Sequence, residues 1–431
     1  MAFVKKTMEL FTSSRLTQDT VYALLFKIVG GVLMFLFGVA TARVLGAKGS
    51  GAFYWALAWF NVVMAVATFG LDNFIVREVA VLASRDQWAI LTVTLKNTLA
   101  LAFGLALFGA IGLWIYGWLG TPSAMASVGA NKLFLPLGLA LPAVVLAMLY
   151  GDALRGVGRI QSAILIQSIG LPLVALLSLT WAAHLGGTLG VAWAYSGAGF
   201  LLWMAAVVTW RRKIAHVHPA VLSAKHLFRQ FRANMPLAWV TMLGRALSWI
   251  DILVLGFYVN ASNLGDYNAA LRIAALISFM LGAVNVVAAP RFAAAAANSG
   301  TGLLRQDYER LRFATMITSF PVIAICILWP AGVLSLFGPG FDKASEVLRI
   351  LALGQFVNAI TGPSGTLLLM SKHERFVAYS LVFSVGLTLT LCLLLVPIYG
   401  IVGAAVGSTS GLIVLNTGIY IKVRRITNLA Q

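Results

Sequence analysis

The 431-residue chain is 60% hydrophobic and only 10% charged, with a mean hydropathy of +0.92. Soluble proteins carry about 25% charged residues, so these values exclude an ordinary soluble protein and indicate a protein of the lipid bilayer. The 31 lysines and arginines outnumber the 13 acidic residues, for a net charge of +18. Because these bases are spread over short loops between apolar runs, they are weak evidence for nucleic-acid binding, and no nucleic-acid partner is predicted.

Apolar runs recur along the whole chain, and each is long enough to cross the ~30 Å hydrocarbon core as a helix. The runs are rich in Leu, Ala and Gly without alternating polarity, which favours helices over a barrel. The predicted fold class is therefore an all-α polytopic membrane protein with twelve transmembrane helices. Numbered in chain order, the predicted spans 1 to 12 are 22–43, 52–73, 97–118, 133–154, 160–182, 188–210, 236–259, 269–291, 313–336, 347–370, 375–396 and 400–422.

Between spans 1 and 2 lies the segment LGAKGSGAF, which combines three glycines with a lysine and a serine. A Walker-type phosphate loop reads G-x-x-x-x-G-K-[ST] and follows a buried strand, whereas here Lys48 precedes the last glycine and both flanks are apolar spans. The equivalent segment of the second half, SNLGDYNAA, has no lysine. We therefore predict a short turn whose glycines serve the bend.

The basic residues orient the predicted spans. An even number of spans places both termini on one side of the membrane. Assigning that side to the cytoplasm puts 22 of the 31 lysines and arginines inside, in agreement with the positive-inside rule. A multi-pass protein with both termini in the cytoplasm is predicted.

The chain contains two copies of one unit. An offset of 214 aligns Gly51 with Gly265 and Arg77 with Arg291, and an offset of 213 aligns GTLGVAWAYS with GIVGAAVGST. Six spans per copy make the copies parallel, and two parallel six-helix lobes around a cleft are typical of transporters. The predicted organisation is an N-lobe of residues 1–213, a cytoplasmic linker of 214–235 and a C-lobe of 236–431.

Basic residues inside the spans are site hypotheses, because charge in a membrane is costly. Arg245 lies about nine residues into span 7, ~14 Å from its start, so it should face an aqueous cavity or a partner. Lys27, about five residues into span 1, faces a cavity or snorkels to the interface. Arg272 is an interfacial anchor or a cavity residue. Arg77 and Arg291 end spans 2 and 8, where topology alone would explain them, but their equivalence in the repeat favours a shared site.

Acidic residues are fewer, and Asp251 is the deepest of them. It is six positions from Arg245, a rotation of about 240° around the helix, so the two cannot pair on one face. Asp72 and Asp152 are predicted near the ends of spans 2 and 4, where Asp152 and Arg155 form a helix-end pair. The excess of positive charge should attract anions and repel cationic drugs. Neither the five histidines nor the two cysteines lie at ligand spacing, so no metal site is predicted.

The segment from Gly38 to Ala80 resembles the opening of bacterial polysaccharide flippases of the Wzx/PST type. These belong to the multidrug/oligosaccharidyl-lipid/polysaccharide (MOP) exporter superfamily. The matching motifs are A-R-x-L-G at the end of span 1, Gly51 with Phe53 at the entry to span 2, and Gly70 to Arg77 to Ala80 at its exit. The G-x-x-G-x-A entries to spans 6 and 12 and the twelve-span plan match as well.

The resemblance implies a V-shaped pair of six-helix lobes of the MATE/MOP type in the inner (plasma) membrane. The implied activity is movement of undecaprenyl-pyrophosphate-linked oligosaccharide to the outer leaflet by alternating access, for O-antigen, capsule or exopolysaccharide synthesis. The implied partners are this substrate, membrane lipids, a polysaccharide polymerase and a chain-length regulator. No cofactor is expected, and coupling to an H⁺ gradient, a Na⁺ gradient or the membrane potential stays open. The implied cavity-facing cations are Lys27, Arg77, Arg245, and Arg272 or Arg291, with Arg245 as the central phosphate-binding charge.

Two other functions fit part of this pattern. An ion-coupled multidrug antiporter of the same superfamily would use Asp251 as its coupling residue, although span 1 lacks the acidic residue typical of that branch. A membrane enzyme that polymerises or ligates the glycan would need a large outer loop with reactive groups, and no such constellation is present, so the protein is not expected to be an enzyme and no catalytic residue is assigned. The proposed contacts to sugar are Trp55, Trp59, Asn61 and Asn358, with packing as the alternative for each.

Overall fold

The computed structural model describes residues 15–212, 235, 238–297 and 301–428, and all regular structure in these ranges is helical. The predicted linker, residues 214–235, lies outside the described residues apart from Met235. The helices are Arg15–Thr68, Leu71–Ser84, Trp88–Leu119, Ser123–Ala126, Phe134–Gly156, Ile160–Ile164, Leu171–Arg211, Ile250–Tyr258, Ala261–Ala297, Thr301–Leu328, Pro330–Leu334, Ser345–Thr361, Ser364–Met370 and Glu374–Asn428. Residues 238–247 are helical as well.

Shorter irregular elements connect these helices. A π-helical segment, Leu165–Gly170, lies inside span 5. Single 3₁₀ turns at Ala130–Leu133, Ser335–Phe337 and Phe341–Ala344 lie in the connections that lead to spans 4 and 10.

Eight helices of the described chain are long and apolar enough to cross a membrane. Three of them contain two predicted spans each and bend at Gly46, at Gly186 and Gly187, and at Gly400. Span 10 consists of Ser345–Thr361 and Ser364–Met370 on either side of a short break. All twelve predicted spans are thereby accounted for, and the predicted fold class is confirmed.

Several helix ends differ from the prediction. Span 3 begins at Trp88 rather than at 97, and span 8 begins at Ala261 rather than at 269. Span 9 is Thr301–Leu328 rather than 313–336. Hydropathy marks the part of a helix that lies in lipid, whereas backbone hydrogen bonding continues beyond it. Span 9 ends early because Pro330 disfavours helical backbone at the residue before it.

The segment between spans 1 and 2 is not the turn that the sequence predicted. It is helical on both sides of Gly46, which alone leaves the helical region with φ 66° and ψ 179°. A positive φ is costly for residues with a Cβ, so this one glycine makes the bend. Gly49 and Gly51 lie inside the helix and must be explained by packing.

Gly51 lies where the two halves of the molecule meet most closely. A Cβ built on Gly51 would lie 1.8 Å from Ala261 O, and a Cβ built on Gly265 would lie 2.0 Å from Ala47 O. The offset of 214 that relates Gly51 to Gly265 also relates Ala47 to Ala261, so one contact is made twice across a pseudo-twofold axis. Only glycine permits such an approach of backbones. We call this end of the molecule the turn end, and the end that carries residues 212 and 238 the linker end.

A second pair of glycines repeats between the halves. Gly187 has φ 54° and ψ −132°, and Gly400 has φ 55° and ψ −129°. One turn further, Gly190 and Gly403 each lie so close to a carbonyl oxygen of the preceding span that a Cβ would overlap with it. The hairpins of spans 5–6 and 11–12 are therefore built alike, at the offset of 213.

Replacement of Gly51 by alanine should destabilise the protein, because the added methyl group overlaps a backbone carbonyl of the opposite half. Overpacking of this kind costs about 1–3 kcal/mol. Thermal unfolding of the purified protein in detergent should show a lower midpoint for Gly51→Ala than for the wild type.

The matched control is Gly104→Ala. A Cβ at Gly104 meets no atom within 4 Å, and alanine is the better helix former, so this variant should melt at or slightly above the wild-type temperature. Equal melting of the two variants would contradict the close packing at Gly51.

Candidate functional site

The two halves meet mainly through spans 1 and 2 of the N-terminal half and spans 7 and 8 of the C-terminal half. Helix Ala261–Ala297 makes its largest contact with Arg15–Thr68. At the turn end, Arg43 Nε donates a hydrogen bond to Leu336 O at 2.7 Å, and the rings of Phe35 and Phe337 meet edge to face at 5.8 Å. The interface is thus sealed at its turn end by backbone, polar and aromatic contacts.

The predicted cations lie at different distances from the linker end along these helices. Arg77 and Arg291 are exposed and lie nearest the linker end. Lys27 lies beside span 8, with its Nζ 3.9 Å from a Cβ built on Gly282. Arg272 lies deeper, ten residues before Gly282 in the same helix, which corresponds to ~15 Å. The five residues form a series of positive charges along the interface rather than one cluster.

Arg245 is held by the opposite half. Its Nη1 donates to Thr68 Oγ1 at 2.8 Å, and its Nη2 lies 3.5 Å from Asp72 Oδ2. The adjacent Asn73 Nδ2 donates to Thr241 Oγ1 at 2.9 Å. Spans 2 and 7 are therefore joined by polar contacts in the half of the interface nearer the linker end, and the charge of Arg245 is partly compensated.

The sequence placed Asp72 near a helix end, and the structure agrees. The helix Arg15–Thr68 ends four residues before Asp72, which lies in the first turn of the next helix, Leu71–Ser84, after a break at Gly70 with φ 69°. A Cβ built on Gly70 would lie 2.2 Å from Ala238 Cβ. Glycine thus brings span 2 close enough to span 7 for Asp72 to reach Arg245.

Arg272 differs from Arg245 because its charge is not compensated. The guanidinium carbon lies 4.6 Å from the ring centre of Tyr54 in the opposite half and 5.7 Å from that of Trp249 in its own half. Nε is buried without a hydrogen-bond partner, and none of the ion pairs of the described residues involves Arg272. Two aromatic faces hold the cation by cation–π attraction and leave its remaining donors for an anion.

A cavity of about 350 Å³ lies beside Arg272 between spans 7, 8, 10 and 12. Its polar lining includes Ser248, Ser278, Gln355 and Thr409 as well as Arg272. Arg272 thus lines a cavity, which was one of the two possibilities left by the sequence.

Asp251 also lines this cavity and is 2% exposed. Its Oδ2 accepts hydrogen bonds from Tyr267 OH and from Ser408 Oγ, the latter at 2.8 Å. Its Oδ1 accepts a hydrogen bond from the amide of Ile252 at 2.8 Å. We refer to Asp251, Tyr267 and Ser408 as the polar triad. Both oxygens of the carboxyl group are hydrogen-bonded within its own half, and Asp251 makes no ion pair with Arg245 among the described residues.

The N-terminal half carries aromatic residues at the positions equivalent to the polar triad. By the offsets of 214 and 213 these are Phe37, Phe53 and Tyr195. Phe53 meets both of the other rings edge to face, with centroid distances of 6.2 Å. The same three positions are thus an apolar cluster in one half and a hydrogen-bonded acidic cluster in the other.

Two of the four residues that the sequence suggested as sugar contacts already have partners within the N-terminal half. Trp55 is fully buried and meets Phe134 edge to face, and the amide of Asn61 donates to a carbonyl of its own helix. Asn358 instead donates to Gln355 Oε1 at the cavity. Gln355 and Trp249 were not identified from the sequence, although Trp249 lies two residues from Asp251 and could have been found with it.

Residues 16–296 match the family described as polysaccharide biosynthesis protein. The chain belongs to this family. It is 23% identical over 400 residues to the probable low-salt glycan biosynthesis flippase Agl15 of Haloferax volcanii, covering 91% of this chain and 80% of that protein.

Solved transporters share the fold. An inward-facing multidrug resistance MATE transporter of the MOP superfamily superposes with a TM-score of 0.70 at 15% identity, over 95% of this chain and 98% of that one. The lipid II flippase MurJ in an inward closed conformation superposes with a TM-score of 0.63 at 13% identity, over 96% and 89%. The family member described here thus has the fold of the MOP transporters, as the resemblance implied.

The contact between spans 2 and 7 predicts a cross-link. With Cys326 and Cys392 replaced by alanine and a protease site inserted between the halves, Asn73→Cys together with Thr241→Cys should form a disulfide on mild oxidation. The two halves should then remain joined on a non-reducing gel after proteolysis.

The control pairs Asn73→Cys with Gly104→Cys, which lies on an exposed face of span 3 and should not cross-link. Failure of the first pair to react in membranes, or equal reaction of both, would contradict this arrangement of spans 2 and 7.

Proposed function

We propose that this family member is a flippase for undecaprenyl-pyrophosphate-linked oligosaccharides. It would move them from the cytoplasmic to the outer leaflet of the inner membrane, where a polymerase and a chain-length regulator would use them to build a surface polysaccharide. The observation that carries the proposal is the uncompensated guanidinium of Arg272 in a cavity next to the interface of the halves.

The chemistry of the substrate supports this assignment. A polyprenyl tail is soluble in the bilayer, but a pyrophosphate loses many hydrogen bonds and much hydration when it leaves water. Charge-assisted hydrogen bonds from arginine offset that loss because the guanidinium presents several donors in a planar fork. In this state Arg272 is the proposed principal phosphate contact, since Arg245 is occupied by Thr68 and Asp72.

The other cations complete a path for the anion. We propose that Arg77 and Arg291 attract the head group at the linker end and that Lys27 and Arg245 receive it next. The basic loops favour a cytoplasmic position for the linker end, so substrate would enter there when spans 2 and 7 part at Gly70 and Ala238 and at Asn73 and Thr241, while the turn end is closed. Release would require the halves to part at Gly51 and Gly265 and to meet again at the linker end, as in alternating access.

Asp251 is the proposed site of ion coupling. A buried carboxyl group lines the same cavity as Arg272, so a change in its charge changes the electrostatic potential at the proposed substrate site. The second candidate function, export of drugs by ion-coupled antiport, would use the same residue. It is less well supported, because Arg272 would repel organic cations at the cavity.

Deletion of the gene should cause lipid-linked oligosaccharides to accumulate on the cytoplasmic face, because the head group cannot cross unaided. A plasmid copy with Arg272→Gln should restore surface polysaccharide to less than about a tenth of the wild-type level, as expected for the loss of a charge-assisted contact of about 1.5–3 kcal/mol. Lipid-linked intermediates and surface polysaccharide are the quantities to measure.

The comparison variant is Arg349→Gln, which removes an exposed arginine outside the cavity whose Nε bonds to Ile327 O. It should complement fully at equal expression. Full complementation by Arg272→Gln would refute the assignment of Arg272. A deletion strain without accumulated intermediates, in a host with no other flippase, would refute the function.

Replacement of Asp251 by asparagine should remove the response of transport to an imposed ion gradient, because the amide cannot exchange a proton. Proteoliposomes with a pH gradient, a sodium gradient or neither would measure the rate of translocation. We expect the wild type to respond to one gradient and Asp251→Asn to respond to neither.

Asp152→Asn is the matched variant, since Asp152 is a buried carboxyl in the N-terminal half that is bonded to Gln167 and paired with Arg155. It should keep the response. Unaltered gradient dependence of Asp251→Asn would exclude Asp251 as the coupling residue.

A further inference from the structure

We infer that the cavity of the C-terminal half is the binding site for the glycosyl unit nearest the pyrophosphate, so that this half recognises the sugar. The inference rests on the proposed function. The phosphates bind Arg272, and the adjoining sugar binds the other residues that line the same cavity.

The lining of the cavity offers the two kinds of contact that a sugar ring needs. A pyranose presents C–H groups that pack on an aromatic face and hydroxyl groups that both donate and accept hydrogen bonds. Trp249 supplies an aromatic ring at the edge of the cavity, next to Arg272. Ser248, Ser278 and Gln355 supply polar groups from three different spans.

The polar groups are already oriented for an external ligand. Gln355 Oε1 accepts hydrogen bonds from Ser278 Oγ at 2.7 Å and from Asn358 Nδ2 at 3.0 Å. With its oxygen occupied, the amide of Gln355 keeps its two N–H groups as donors. Ser248 donates to the carbonyl of Gly244 and keeps its oxygen as an acceptor. The network therefore presents defined donors and acceptors before any ligand arrives.

The repeat shows that the fold itself does not require this polarity. The offset of 214 relates Ser248, Trp249, Arg272 and Ser278 to Met34, Phe35, Ala58 and Met64 in the N-terminal half. Spans 1 and 2 pack with these apolar residues, so equivalent helices form without polar ones. The polar lining of spans 7 and 8 is a property of the C-terminal half alone, and its cost in a membrane protein is offset if it binds a polar ligand.

The volume of the cavity and its continuity with Arg272 favour a short glycosyl unit. The cavity volume of about 350 Å³ is at the lower end of the ~300–1,000 Å³ typical of small-molecule sites, which is too small for a long glycan. Arg272 lines the same cavity as Ser278 and Gln355, so a sugar bonded directly to a phosphate on Arg272 reaches them. Later sugars would extend into the space between the halves.

The test separates recognition of sugar from recognition of phosphate. Purified protein in nanodiscs is titrated with two probes: the lipid-linked glycan extracted from the deletion strain, and undecaprenyl pyrophosphate without sugar. Gln355→Leu should weaken binding of the first probe about tenfold, as expected for the loss of hydrogen bonds to sugar. It should leave binding of the second within twofold.

Ser278→Met places in span 8 the residue that its equivalent in span 2 already carries, so it is expected to fold, and it should give the same selective loss. Ser178→Ala, in the groove between spans 5 and 6, should change neither affinity. The melting midpoint of each variant checks that it is folded.

Two outcomes would overturn the inference: equal loss for both probes, or loss for neither. A wild-type protein that binds undecaprenyl pyrophosphate but gains nothing from the glycan would overturn it as well and leave the proposed phosphate site intact. Failure of the wild type to bind either probe would refute the proposed function itself.

Discussion

The close approach of Gly51 to Ala261 and of Gly265 to Ala47 is the constraint on which the rest of the structure depends. At these points backbone meets backbone, so the relative position of the halves is set without long side chains between them. Because the contact is made twice about one axis, it fixes both the separation and the rotation of spans 1 and 2 against spans 7 and 8. Arg43, Tyr54 and Phe35 can then reach across to the opposite half.

The scarcity of carboxylates decides which cations remain available. With 13 acidic residues against 31 basic ones, most lysines and arginines cannot have an acidic partner of their own. Arg245 obtains Asp72 only because the break at Gly70 brings span 2 against span 7. Arg272 obtains two aromatic rings instead, which hold it in place without removing its charge. The two residues are alike in sequence context and differ in their partners.

Hydropathy predicted the twelve spans because each carries a long apolar run, and internal similarity predicted the 214-residue offset that the glycine contacts follow. The prediction of a turn around Gly46 was wrong because the sequence does not distinguish a glycine that bends the chain from one that permits close packing. The pairing of Asp72 with Arg245 was not predicted, because the close approach of span 2 to span 7 at Gly70 becomes known only from the structure. Gln355 and Ser278 were not found, since a single polar residue in an apolar helix becomes informative only when its neighbours from other spans are known.

The aromatic cluster of Phe37, Phe53 and Tyr195 and the polar triad occupy equivalent places in the two halves. A duplicated gene that retains one copy as scaffold is free to alter the other without losing the shared architecture. In the proposed flippase, substitutions in the polar lining of the cavity would change what is carried, while the contacts at Gly51 and Gly265, which lie at different positions, stay as they are. Divergence of cargo among related transporters would then be concentrated in the C-terminal half, and a chimaera that exchanges only this half would inherit the preference of its donor.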